Sequence, residues 1–458
     1  MGETLTATLR VITPLFSEGA EERVPAEEVS TAGAPVRRGR EGRRGRPAMR
    51  GEIRAETIKG LLRFWHRALH PEPACTPPAD EGRIFGTTSA GSVMRLMVDD
   101  VPEFKRVGRV SWPGQVAYLG RGLIDGRKDG NWTVREWLDP EAGTEFTVRC
   151  RFGPHARTED MRVVADALWA LCMFGGIGGR SRRGFGSVQL VALDSPLGDG
   201  YVQEYATVDE LLSVIPARLG AMVAPLSALP EHTAFSTRSR VLASPAWPNW
   251  RKGLGDAARA MLAWRGWRDA YDWTEPGTQL FEQDRGVVLG FLEAGPRPDE
   301  LDDFPRRMVF GAPHNYYFPK YGNVRVDALR AGVTLEQAQE DGTGVLGRRA
   351  SPLFLSAKQV GEQIVVLQTF LPARFLPEGA RVRVAQLDDD GKPIDSAVAP
   401  FREGYAAIEH YLDWLTGRLG ASPPRDGIQL DRLQPLHADL RRREVQLFPA
   451  ETTPASSA

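Results

Sequence analysis

The residues best equipped for chemistry are cations set beside glycines. The stretch Gly175-Gly176-Ile177-Gly178-Gly179-Arg180-Ser181-Arg182-Arg183-Gly184-Phe185-Gly186-Ser187 holds six glycines, three arginines and no acid. Glycines such as Gly176 and Gly178 let a backbone approach a ligand closely and present its amide N–H groups. The guanidiniums of Arg180, Arg182 and Arg183 can grip phosphates through paired hydrogen bonds. A second cationic group, Lys59, Arg63 and Arg67, recurs every four residues, with Arg50 and Arg54 just upstream. From Arg37 to Arg67, eleven Lys or Arg against three acids leave a local charge of +8, although the whole chain carries only −1. Local charge, more than net charge, decides whether a polyanion docks. The plain alternatives are a solvated helix face and a flexible turn.

Other chemistries find no pattern. The glycine stretch follows a helical pattern and precedes a strand, the reverse of the dinucleotide-binding context. There is no GxxxxGK phosphate loop, HExxH, CxxC pair, EF-hand loop or GxSxG elbow. Cys75, Cys150 and Cys172 are odd in number and far apart, so they suggest neither a disulfide framework nor a metal site. His66 and His70 are four apart but lack a third ligand nearby in sequence. His66 is conceivable as a general base for RNA cleavage. No cofactor and no metal are expected.

These groups need elements to hold them. Leu5, Ala7, Leu9 and Val11 alternate with polar residues, which predicts a half-buried strand ending at Thr13-Pro14. Ile58, Leu61, Leu62, Trp65 and Leu69 follow helical spacing and predict a helix over 57–69 with one core face and one basic flank. Trp65 falls on the core arc and reads as packing rather than base stacking. His70-Pro71 stops this helix. Strands are expected at 93–98, 146–152 and 188–193, and a second helix at 163–174 that runs into the glycine stretch. Strand, helix, strand, strand, helix, strand is the order of a ferredoxin-like unit.

At 458 residues the chain exceeds one small module. A composition break near 194–199 divides it. The expectation is an α+β protein with two ferredoxin-like (RRM-like, βαββαβ) domains carrying long insertions: residues 1–195, then 200–450, then a disordered tail 451–458. No repeat with a period of 20–50 residues is visible. No window reaches about 18 consecutive apolar residues, and the start, Met1-Gly2-Glu3-Thr4, has no signal-peptide core. A cytoplasmic protein without a membrane partner is expected.

Several of these segments resemble the RAMP proteins of CRISPR systems, and more narrowly the first subunit of the Cmr (type III-B) RNA-targeting complex. The resemblance rests on Thr13-Pro14-Leu15-Phe16, on Glu52-Ile53-Arg54 followed by residues 57–69, and on Ile84-Phe85-Gly86. The glycine stretch and Arg348-Arg349-Ala350-Ser351-Pro352-Leu353 complete it. Thr57 stands where Ser is commoner, and His66 where a second Trp is common. The match covers residues 5–190 well and the remainder in patches. It implies two ferredoxin-like domains and a place near the 3′ end of the crRNA, where guide and target RNA pair. The implied partners are crRNA, target RNA and other Cmr subunits, and the implied role is to bind RNA without cutting it. Lys59, Arg63 and Arg67 would then form one wall of a basic cleft, faced by Arg180, Arg182 and Arg183 and extended by Arg54 and Arg50. The loop from Arg37 to Arg46 would order on RNA. The alternatives are a RAMP endoribonuclease that trims guide RNA, metal-independently, and a structural adaptor without RNA affinity of its own.

Overall fold

The computed structural model describes residues 3–23, 49–72, 78–107, 114–123, 135–265, 282–340, 342–402, 404–418 and 441–448. The Arg37–Arg46 stretch and the tail 451–458 lie outside them. The architecture is a mixture of helices and antiparallel sheets.

The first half is built from β1 (Thr4–Val11), α1 (Ala55–Leu69), β2 (Met94–Asp99), β3 (Glu145–Phe152), α2 (Thr158–Phe174) and β4 (Val188–Asp194). The sheet order is β2-β3-β1-β4, all antiparallel. The apolar alternation in β1 buries Leu5, Ala7, Leu9 and Val11 almost completely. Ile58, Leu62, Trp65 and Leu69 turn the core face of α1 inward, while Leu61 is only half-buried. α2 is apolar nearly all round, as suits a helix enclosed on every side. Ala167 to Phe174 are all buried. Its start is fixed by Asp160, which accepts from the Arg157 amide at 2.9 Å and forms a two-pronged ion pair with Arg83.

The second half runs β5 (Arg240–Ala243), α3 (Trp250–Arg265), β6 (His314–Phe318), β7 (Gly322–Leu329), β8 (Leu353–Val360), β9 (Gln363–Phe370), β10 (Arg381–Leu387), β11 (Pro393–Pro400), α4 (Ala406–Thr416) and β12 (Arg443–Val445). One sheet has the order β8-β9-β5-β12, again antiparallel. With α3 and α4 this repeats the first half's plan: the second strand lies at one edge, then the third, the first and the fourth. The other strands form a separate sheet, β6-β7-β10-β11. In sequence it is inserted in two pieces, one before β8 and one after β9.

The halves share apolar surface. Phe354, Val360, Val365, Leu367 and Val445 join the buried cluster of β1, α1, α2 and β4. Along β8, successive side chains point to opposite sides. Leu353, Leu355 and Ala357 enter the second half's core, whereas Phe354, Ser356 and Lys358 meet the first half.

Candidate nucleic-acid interface at the glycine loop

The glycine loop leaves α2 at Gly175 and folds back over the exit of β1. The Thr13 hydroxyl donates to the Gly184 carbonyl at 2.6 Å and accepts from the Ser187 amide at 2.9 Å. The Gly186 amide donates to the Pro14 carbonyl at 2.9 Å, and the Gly179 amide to the Phe16 carbonyl at 2.7 Å. Gly178 and Gly186 have φ of +84° and +62°. A Cβ on either would collide with a backbone carbonyl, of Phe16 or of Ile177 respectively. A Cβ on Gly176 would fall 2.9 Å from the Gly186 carbonyl oxygen. These three glycines therefore let the chain pass close to itself, rather than freeing room for a ligand as their sequence pattern suggested. The Thr13–Phe16 segment and the glycine loop form one joint structure.

The arginines of this loop diverge. Arg182 turns inward: its guanidinium donates to the Ser351 carbonyl at 2.6 Å and lies 4.4 Å from the Phe354 ring and 5.4 Å from the Phe64 ring. Burial lowers its pKa to about 10. Arg180 is exposed and holds a left-handed φ of +59°, uncommon for a residue with a side chain. Arg183 lies over the Tyr118 ring at 5.9 Å. Its pKa is lowered by burial first. Tyr118 opposes that shift, and the guanidiniums of Arg265, Arg180 and Arg121 add to it. His314, at the start of β6, is held well below the usual histidine range by burial and then by Arg265, Arg307 and Arg183. Of these, Arg307 has its own counter-charge, Asp284, at 3.1 Å. Arg265 ends α3 and stacks 4.6 Å over Phe310. Arg121, Arg180 and Arg265 thus act on Arg183 from both halves of the chain, with Arg265 itself buried. A positive field of this kind favours an anion.

The α1 cations have other occupations. Arg67 grips both carboxylate oxygens of the buried Glu81. Arg63 lies 3.3 Å from the same carboxylate and donates to the Phe85 and Gly86 carbonyls at 3.0 and 2.6 Å. Both arginines therefore fasten the short helix Glu81–Phe85, which accounts for the Ile84-Phe85-Gly86 segment. Lys59 is half-buried and has no ion pair among the described residues; burial and the nearby Arg63 lower its pKa. Arg54 precedes α1 in extended conformation, its side chain half-buried. Arg50 lies in the short strand Met49–Gly51, and its side chain is outside what is described.

The cations of the expected facing walls divide between two stations. Arg180 and Arg183 join Arg121 and Arg265, whereas Arg63 and Arg67 join Glu81. Arg182 links the two through Phe64. Trp65 packs in the core between Phe64, Phe174 and Phe354. His66 is 1% exposed, with Nε2 2.9 Å from Asp80. The sequence reading missed Arg121, Arg265 and His314. In the sequence Gly120-Arg121-Gly122 carries no periodicity, and nothing near Arg265 or His314 announces that they meet.

Comparison with known proteins agrees with the motifs. Residues 8–189 match the family model described as the RAMP superfamily. The curated protein CRISPR system Cmr subunit Cmr1-1 of Pyrococcus furiosus is 30% identical over 166 residues, covering 35% of this chain and 47% of that one. Cmr1-2 of the same organism is 26% identical over 204 residues, covering 40% of this chain and 94% of that one. The match thus spans about half the length of the first relative. Among solved structures, the apo crystal structure of Cmr1 from Pyrococcus furiosus is 21% identical, with a TM-score of 0.47, covering 82% of this chain and 90% of that one. A cryo-EM structure of the Type III-B Cmr-beta bound to cognate target RNA is 12% identical, with a TM-score of 0.41, covering 85% and 97%. Residues 8–189 are a RAMP region. Over part of its length the chain is similar to the Cmr1 subunits.

Proposed function

We propose that this chain is an RNA-binding, non-catalytic subunit of a cytoplasmic type III-B CRISPR (Cmr) effector complex. In this reading it contacts guide and target RNA near the 3′ end of the crRNA and docks against other Cmr subunits. Its two halves, residues 1–195 and 200–450, are ferredoxin-like domains, a reading supported by the strand order that both share. One observation carries the functional reading: the convergence of Arg121, Arg180, Arg183 and Arg265 beside the glycine loop. Its relatives' names as Cmr subunits support the assignment to a complex. No described helix is long and apolar enough to cross a membrane. Guanidiniums aimed at phosphates give affinity without sequence choice, which suits a subunit that leaves sequence to base pairing. The nuclease alternative needs His66 or a tyrosine as a base at the surface, and His66 is buried.

The test is binding of the purified chain to labelled single-stranded RNA across a salt series. Arg121 and Arg180 are both exposed, so changing each to Ala should leave the fold intact. The double variant is expected to bind more weakly and to lose about 1.4 units of salt slope, at roughly 0.7 per phosphate contact. Equal slopes would remove this cluster from the RNA path. Absent binding by the unaltered chain would favour the adaptor, and shortened RNA the endoribonuclease.

A further inference from the structure

The glycine loop belongs to the first half by sequence, and besides its contacts with Thr13, Pro14 and Phe16 it is held from the second half. Its first residue, Gly175, accepts at its carbonyl from the Ser356 hydroxyl at 3.0 Å. Its last, Ser187, accepts at its hydroxyl from the Ala357 amide at 3.0 Å. In the middle, the Leu355 amide donates to the Arg182 carbonyl at 3.0 Å, and the Arg182 side chain returns to the Ser351 carbonyl. The two strands beyond the loop are stitched as well: the Gln359 amide donates to Gln189 Oε1 at 2.8 Å. At the base of this seam lies Lys358. It is fully buried, and its ammonium donates to the Cys172 carbonyl and, at 3.1 Å, to the Val188 carbonyl.

That lysine is costly where it stands. An ammonium taken out of water needs compensation, and here its hydrogen-bond partners are two carbonyls. Desolvation lowers its pKa to about 7. The titratable group beside it, the Cys172 thiol of α2, is itself pushed up to about 12 by burial and stays neutral. From β4 comes the Val188 carbonyl, and the register partner of Lys358 on β9 is Val365. An apolar side chain of similar length would fill the same space without that penalty. What the ammonium adds is direction. Cys172 lies in the last turn of α2, where carbonyls lack helical partners and the helix dipole is negative. Val188 opens β4. The two carbonyls, of Cys172 and Val188, flank the glycine loop, so one side chain ties both its ends.

We propose that β8 is the template of the glycine loop and that Lys358 is a positioning residue for RNA binding, acting through the loop. This rests on the RNA-binding reading above. It means that Arg180 and Arg183 are aimed only when the two halves are docked along β8.

The experiment compares the full chain with Lys358→Met by amide hydrogen exchange and by RNA binding. Loss of a buried charged donor is expected to speed exchange across residues 175–187 by about tenfold or more. Protection in β2 and β3 should stay as it was, and RNA affinity should fall by a similar factor. The Arg121→Ala/Arg180→Ala variant is the control: it should lose affinity while loop protection remains. Unchanged exchange over 175–187 in Lys358→Met overturns the proposal, whatever the RNA result. If Lys358→Met does not fold, Ser356→Ala is read the same way, and equal protection across the loop is again the overturning outcome. If the unaltered chain binds no RNA, the functional reading fails, while the exchange data still decide whether β8 shapes the loop.

Discussion

Two groups of cations look alike along the chain and differ in the fold. Arg63 and Arg67 project from the basic flank of α1, and a buried carboxylate and two carbonyls satisfy them. Arg183 projects from the glycine loop beside Arg180, and the guanidiniums of Arg265, Arg180 and Arg121 act on it. A run of like charges in sequence therefore does not define an anion site. What defines it is which of those charges already have partners once distant segments meet. The α1 group fastens the fold through Glu81, whereas Arg183 of the loop group meets further positive charge. Electrostatic attraction to a polyanion should follow the second and be nearly indifferent to the first.

The strongest way to break this contrast is to remove the α1 group. Changing Arg63 and Arg67 together to Ala strands Glu81, only 5% exposed, without a counter-charge. Both arginines are more than a third exposed, so leaving the buried carboxylate without them costs about 2–3 kcal/mol. Chemical denaturation should show a loss of that order, and the surviving folded fraction should bind RNA with an unchanged salt slope. A large drop in slope with little loss of stability would reverse the assignment of the two groups.

Arg182 stands between them and gives the next largest effect. Its guanidinium bridges the glycine loop, Phe64 of α1 and Ser351 ahead of β8. Arg182→Ala forfeits two ring contacts and a charged hydrogen bond, about 2 kcal/mol in all. The expected signature is intermediate: a lower unfolding midpoint together with weaker RNA binding, because the loop loses an anchor. Weaker binding with a normal midpoint would mean that Arg182 reaches RNA directly, as its sequence context suggested.

Much of the first half was legible because its signals are local. The alternation in β1 and the helical spacing of α1 each name their own buried face, and the structure buries those residues. The second half was harder. The sheet β6-β7-β10-β11 interrupts its strand-helix plan in two places, so a pattern shared with the first half never appears as a sequence repeat. The candidate site divides along the same line. Arg180 and Arg183 were visible beside glycines. Arg121, Arg265 and His314 were not, because they become neighbours of the loop only through the packing of α3 and the approach of β6. The glycines themselves misled in one respect: Gly176, Gly178 and Gly186 are required by contacts of the chain with itself, which no local motif distinguishes from contacts with a ligand.

Lys59 sharpens the contrast at its finest point. It sits on the α1 flank, yet it lacks an ion pair among the described residues, and burial together with Arg63 disfavours its charge. In position it belongs with the structural group; in charge balance it belongs with the open one. Lys59→Gln should change stability by no more than about 0.5 kcal/mol, since no partner is uncovered. If the ammonium meets a phosphate, the RNA salt slope falls by about 0.7, and the loss adds to that of the Arg121→Ala/Arg180→Ala variant. An unchanged slope would assign the whole of α1 to scaffold and confine the RNA path to the seam where the halves meet. Relief of repulsion on Arg63 would then be the remaining effect, seen as a slight gain in the unfolding midpoint.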